Sequence, residues 1–212
     1  MNNYILPNYN RINLKFIHGN GSWLYTKNEK YLDFSSGIAV NCLGHANQKL
    51  IKALELQAKK LWHTSNLYRI SEQEQLAKKL CDNSFADKVF FCNSGAEATD
   101  GIVKIVRKYH YALGNKNRKN IIVLNNAFHG RTVTGIQAGS NKAHREGFLG
   151  KKNCDCGFTR VSINEVDFLE KKIDSSTAAI LFEPIQGEGG INTFSYEFFK
   201  KVKRLCKKNN IL

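Results

Sequence analysis

From residue 88 onward, short apolar runs alternate with longer amphipathic stretches. KVFFC (88–92), NIIVLNN (120–126), TRVSI (159–163) and AAILFEPI (178–185) read as buried strands. Between them lie helical patterns. One starts at Gly95 and carries Ala98, Ile102, Ile105, Val106 and Tyr109 on one stripe; a second follows residue 163, with Asn164 placed to cap it; a third runs from about Ser195 to Asn209. Strands alternating with helices predict an α/β fold, a mainly parallel sheet sandwiched by helices. The apolar pair Ile211–Leu212, directly after a helix end, reads as the start of a further buried strand. A sheet cut there leaves a core strand unmade.

The first part of the chain has a different rhythm. GSWLYTKNEKYLDF (21–34) predicts two strands around a turn at Lys27–Lys30, and the glycine-bearing SSGIAVNCLGH (35–45) reads as a loop. Leu50, Ile51, Leu54, Ala58 and Leu61 recur at helical spacing, and Ser71 with Glu74 forms the pattern of a capping box before a second helix. The expected organisation is an N-terminal hairpin segment, residues 1–45, and a larger domain from residue 46 to 212.

Composition narrows the classes. No run of eighteen apolar residues suggests a membrane span, and MNNYILPNYNR lacks the plan of a secretory signal. Six cysteines at positions 42, 81, 92, 154, 156 and 206 suit reduced thiols in a cytoplasm, and the close pair Cys154–Cys156 is half of a tetrahedral metal site. No metal is expected. The balance of 32 basic against 18 acidic residues gives a net charge of +14. The lysines are spread along helix faces, as in KKVKRLCKK around Val202, Leu205 and Cys206. They predict solvated surfaces, with neither a nucleic-acid site nor a membrane partner.

Three strand ends carry candidate chemistry. In NSGAE (93–97), Ser94 and Glu97 match a capping box, and the small Gly95 and Ala96 leave the first-turn N–H groups open to a phosphate. The alternative is a plain strand-to-helix turn. In AFHGRT (127–132), Phe128 is placed to stack on a planar ring and Arg131 to grip a carboxylate with two hydrogen bonds; the plainer reading makes Phe128 core and Arg131 surface. His129, with no carboxylate nearby in sequence, reads as structural. In FEPIQGEGG (182–190), Glu183 and Glu188 are candidate partners for cations or a substrate amine, or else solvated acids in a glycine-rich turn.

SGIAVNCLGH, NSGAEATDG, FHGRT and EPIQGEGG, in this order and spacing, resemble the acetylornithine aminotransferases, class-III pyridoxal-phosphate enzymes of fold type I, across residues 12–212. The subgroup also includes the ornithine and 4-aminobutyrate aminotransferases. The resemblance implies that Gly95 and Ala96 bind the cofactor phosphate through their backbone and that Phe128 packs on the pyridine ring. It further implies that Arg131 receives the α-carboxylate of acetylated ornithine, and that Glu188 matches a glutamate that pairs switchably with an arginine. It implies transfer of an amino group from N-acetylornithine to 2-oxoglutarate in arginine biosynthesis, a cytoplasmic homodimer, and residues 1–45 as part of a small domain.

The chain departs from its relatives at Asp100 and Gly101, where Glu and Ala are common. By the same resemblance, the Asp-Glu-Val-Gln stretch whose aspartate meets the pyridine nitrogen follows residue 212, and the Schiff-base lysine comes later still. No catalytic residue is therefore expected within this chain, which alone should be inactive. Other readings are an aminotransferase for ornithine, succinylornithine or succinyl-diaminopimelate, a non-catalytic remnant, or a basic binding protein.

Overall fold

A computed structural model describes residues 4–148, 157–162 and 168–212. The chain divides into two compact units, residues 1–87 and 88–212.

In the first unit, β1 (His18–Asn20), β2 (Trp23–Tyr25) and β3 (Lys30–Leu32) form an antiparallel sheet in chain order. The expected hairpin is β2–β3, closed by the Thr26 N–H bond to the Glu29 carbonyl at 2.9 Å. Strand β1 adds to its free edge. The stretch expected to be a loop contains a helical turn, α1 (Ser36–Ala39), and its hand is left. Ser36, Gly37, Ile38 and Ala39 have φ of 48°, 63°, 59° and 61°. Left-handed turns cost L-residues about 1–2 kcal/mol each, so this segment is held by its surroundings. Asp33 is one such hold: its carboxylate accepts from the Ser35 and Ser36 N–H groups and meets His45 Nε2 at 2.8 Å.

Helix α2 (Gln48–Ala58) forms where the periodicity predicts, with Asn47 accepting from the Lys49 and Leu50 N–H groups. Its apolar stripe stays open: Leu50 and Leu54 are 53% and 73% exposed. Helix α3 (Ser71–Asp82) corrects the expected capping box. Its N-cap is Ile70, with no side-chain cap, and the Glu74 carboxylate instead takes both arms of Arg69 at 2.7 and 2.8 Å. A guanidinium fork outcompetes a single amide for a carboxylate.

The second unit holds the core. Helix α4 (Gly95–Ala112), β4 (Asn120–Leu124), α5 (Val133–Ala138), α6 (Lys142–Arg145), β5 (Phe158–Val161), β6 (Thr177–Leu181), β7 (Ile185–Gln186), β8 (Asn192–Thr193) and α7 (Tyr196–Asn209) follow in order. The parallel sheet is β5-β4-β6. Alternation along β4 splits the core in two. Ile121 and Val123 pack with Val103, Val106 and Ala138 on the α4–α5 face. Ile122 and Leu124 pack with Val202 and Leu205 of α7 on the other. Each fully buried side chain of this size contributes roughly 1.5–3 kcal/mol. The sandwich of a parallel sheet between helices is as expected.

Two strand expectations separate here. Leu212 donates to the Ala178 carbonyl and accepts from the Ile180 N–H, both at 3.0 Å, the bonding of a parallel strand laid on β6. Residues 88–92, by contrast, join no ladder, and Phe90 is 64% exposed. A strand exists only by pairing, and among the described residues none forms a ladder with this stretch. The helix expected after residue 163, with Asn164, and the Cys154–Cys156 pair fall outside the described residues.

Candidate active site

The N-terminus of α4 is built as its sequence suggests. Ser94 Oγ accepts from the Glu97 N–H at 3.2 Å, and the Glu97 carboxylate reaches back to the Asn93 N–H at 2.6 Å, one residue before the cap. Ala98 donates to the Ser94 carbonyl. Among the described residues, the N–H groups of Gly95 and Ala96 have no acceptor, and nothing lies within 4 Å of where a Gly95 side chain would start. The open end of an 18-residue helix presents these donors together with its positive dipole end.

The loop after β4 runs against this helix. A Cβ on Gly130 would fall 2.7 Å from Ala96 Cβ and 2.8 Å from Ala96 Cα, and Gly130 sits at φ +99°. Ala96 is therefore small for a reason the sequence did not disclose: the Gly130 backbone rests on it. Phe128 is half-buried, its ring edge-on to His144 with centroids 6.3 Å apart, and the Arg131 guanidinium lies 5.9 Å from the same ring centre. Thr132 caps α5 by accepting from the Gly135 N–H at 3.1 Å and donates to Asp100 of α4 at 3.2 Å.

The loop after β6 closes the group. The Glu183 carboxylate accepts from the Phe128 N–H at 3.1 Å. Burial raises the pKa of this acid above the ordinary carboxylate value, and the Phe128 N–H acts in the opposite sense. The buried Gln186 donates to the Asn125 carbonyl at 2.8 Å, and Gly189 passes so close to the Asn126 carbonyl that no side chain fits there. Glu188 is exposed on one wall of a cavity of about 210 Å³ that Phe128, Ser140, Asn141 and His144 also line.

Gly95, Ala96, Phe128, Arg131, Glu183 and Glu188 all lie in this second unit. Direct contacts between the three motif segments join them: Ala96 with Gly130, Phe128 with Glu183, and Asn126 with Gly189. The Asp100–Thr132 link, the use of Glu183 as a backbone anchor and the place of His144 had no signal in spacing, because each is a contact between distant segments. His129 is buried, its Nε2 has no partner among the described residues, and burial lowers its pKa.

The chain matches the family model "Aminotransferase class-III" over residues 4–212. It is 46% identical to the acetylornithine aminotransferase of Agrobacterium fabrum over 209 residues, 98% of this chain and 52% of that protein. It is 43% identical to the protein of that name from Clostridium acetobutylicum, covering 99% of this chain and 54% of that one. Among solved structures, the ornithine aminotransferase of Toxoplasma gondii superposes with a TM-score of 0.90 at 29% identity, over 99% of this chain and 50% of that one. The Pseudomonas jessenii omega transaminase in complex with PMP does so with a TM-score of 0.86 at 30% identity, over 94% and 49%. The chain thus spans about half the length of the curated relatives it matches. By the extent of that family match, and with its FHGRT and EPIQGEGG loops at the carboxyl ends of the parallel strands β4 and β6, the chain belongs to the class-III aminotransferases, a pyridoxal-phosphate-dependent family.

Proposed function

We propose that this chain is part of an N-acetylornithine aminotransferase, which moves an amino group from N-acetylornithine to 2-oxoglutarate in arginine biosynthesis. The observation that carries the reading is the gathering of open helix N–H groups, an aromatic ring and a guanidinium where α/β folds bind ligands. The names of the relatives supply the donor.

The chain's own residues fit the cofactor. Gly95 and Ala96 offer two backbone donors with no competing acceptor among the described residues, and Gly95 leaves room for phosphate oxygens. The half-buried face of Phe128 suits a planar ring. Bound pyridoxal phosphate supplies an electron sink for the carbon that bears the reacting amine. The chain's residues bind and orient. Arg131 holds the carboxylate end of the donor in a two-pronged bond, and its place beside Phe128 sets that end relative to the ring. Glu183 keeps Phe128 in position through its backbone. Glu188, on the cavity wall, is the carboxylate that pairs switchably with an arginine.

The lysine and the acid that complete the chemistry belong, in this reading, to the half of the relatives' length that the chain does not span. The enzyme is a homodimer; the open stripe of Leu50 and Leu54 supports this, being an apolar face that invites cover. It works in the cytoplasm, in keeping with the unpaired Cys42, Cys81, Cys92 and Cys206. Residues 1–45 belong to a small domain. An ornithine aminotransferase is the second reading, favoured by the TM-score of 0.90 to the Toxoplasma enzyme. Assay of the full-length protein decides between them. Turnover of N-acetylornithine with 2-oxoglutarate, at least about tenfold more efficient than turnover of ornithine, is expected. A preference for ornithine overturns the assignment, as does no turnover of either donor.

A further inference from the structure

Ala96 and Asp100 are four residues apart on α4, so they share one face of the helix, about 6 Å apart along its axis. Gly130 and Thr132 are two residues apart in the loop, which spans at most about 7 Å. The two spacings match, and the residues meet in pairs: Gly130 rests on Ala96, and Thr132 Oγ1 donates to Asp100 Oδ1 at 3.2 Å. Arg131 lies between the two contacts. Its backbone is therefore tied at both ends to the helix whose first N–H groups face the phosphate.

We propose that Asp100 is a positioning residue that, through Thr132, sets the distance and angle between the phosphate-binding end of α4 and the carboxylate-reading guanidinium of Arg131. This rests on the roles given to Gly95, Ala96 and Arg131 above. The Thr132 hydroxyl is suited to the task, because it bonds in both directions. It donates to Asp100 and accepts from the Gly135 N–H, so it also locks the first turn of α5. Aspartate suits the close approach that Gly130 and Ala96 create. A glutamate, longer by about one carbon–carbon bond of 1.5 Å, reaches the same hydroxyl only by a different side-chain path.

The test uses the full-length protein with Asp100→Ala, Asp100→Asn and Thr132→Val. Asparagine keeps the acceptor oxygen; alanine removes it. Hydrogen exchange at the Gly135 amide, measured without cofactor or substrate, should quicken about tenfold in Asp100→Ala and Thr132→Val and stay near wild type in Asp100→Asn. In the assay, KM for N-acetylornithine should rise about tenfold in Asp100→Ala with kcat little changed. KM for N-acetylputrescine, which lacks the carboxylate, should not move. Unchanged exchange at Gly135 in Asp100→Ala overturns the strut, whether or not the enzyme uses N-acetylornithine. Equal KM increases for both donors also overturn it and leave only a structural role. Absence of wild-type turnover with normal exchange behaviour overturns the substrate reading and leaves the strut standing.

Discussion

Gly130 lies on Ala96 so closely that a single added carbon would fall 2.7 Å from the Ala96 side chain and 2.8 Å from its Cα. This contact joins the N-terminus of α4 to the loop that carries Phe128 and Arg131, and it has little room to yield, since one partner is helix backbone. Gly130→Ala also forces a side chain into φ +99°. The full-length variant is expected to lose about 1–3 kcal/mol by denaturant unfolding and to bind pyridoxal phosphate less tightly. Unchanged unfolding would show that the two segments separate freely.

Arg131→Lys tests the carboxylate grip. Lysine keeps the charge and loses the planar fork. The full-length variant should lose about 2 kcal/mol of kcat/KM for N-acetylornithine, roughly thirtyfold. Wild-type efficiency in steady-state kinetics would remove Arg131 from its assigned role.

Glu183 anchors a backbone amide, so the substitutions separate shape from bonding. Glu183→Ala leaves the Phe128 N–H without its acceptor at a cost of about 1–3 kcal/mol, while Glu183→Gln retains an acceptor and should cost less. Because burial raises the folded pKa of Glu183, its contribution to stability is fully present below the ordinary carboxylate value. It is lost as pH rises through the raised one. Unfolding followed across that window should show a pH dependence in the wild type from which Glu183→Gln removes this falling component.

Asp33 behaves in the opposite sense. Its bond to His45, then those to Ser35 and Ser36, hold its pKa down from 3.8 to about 2. The stability it contributes is present above pH 3.8 and is lost as pH falls towards 2. A proton titration of the side chain by NMR should give a midpoint near that value, and His45→Ala should raise it. A midpoint at the ordinary value in the wild type would mean that the pair does not form in solution.

Gly101 is the departure whose effect runs towards greater stability when reversed. A Cβ there would meet Phe90 Cε1 at 3.0 Å, but Phe90 is 64% exposed and its ring is free to swing aside. Gly101→Ala should therefore stabilise α4 by about 0.5–1 kcal/mol, read as a higher thermal midpoint. A lower midpoint would show that Phe90 is held in place.

The sequence by itself determined the elements that rest on local chemistry. An unbroken apolar run made β4 a buried strand, Ser94 capped α4, and the order of four motifs identified the family before any contact was visible. Tertiary structure decided whatever depends on a partner distant in the chain. Residues 88–92 have strand composition but no partner strand among the described residues, while Leu212 has one in β6. Glu74 left its expected cap because Arg69 offered two donors where an amide offers one. Ala96 reads in sequence as room for a phosphate, and in the fold it is also the floor under Gly130. Asp100 reads as a small departure from its relatives and, in the fold, holds Thr132. Periodicity and capping act within a few residues along the chain, and so they are legible in it. Pairing, close approach and hydrogen bonds between remote loops depend on which surfaces the completed sheet brings together.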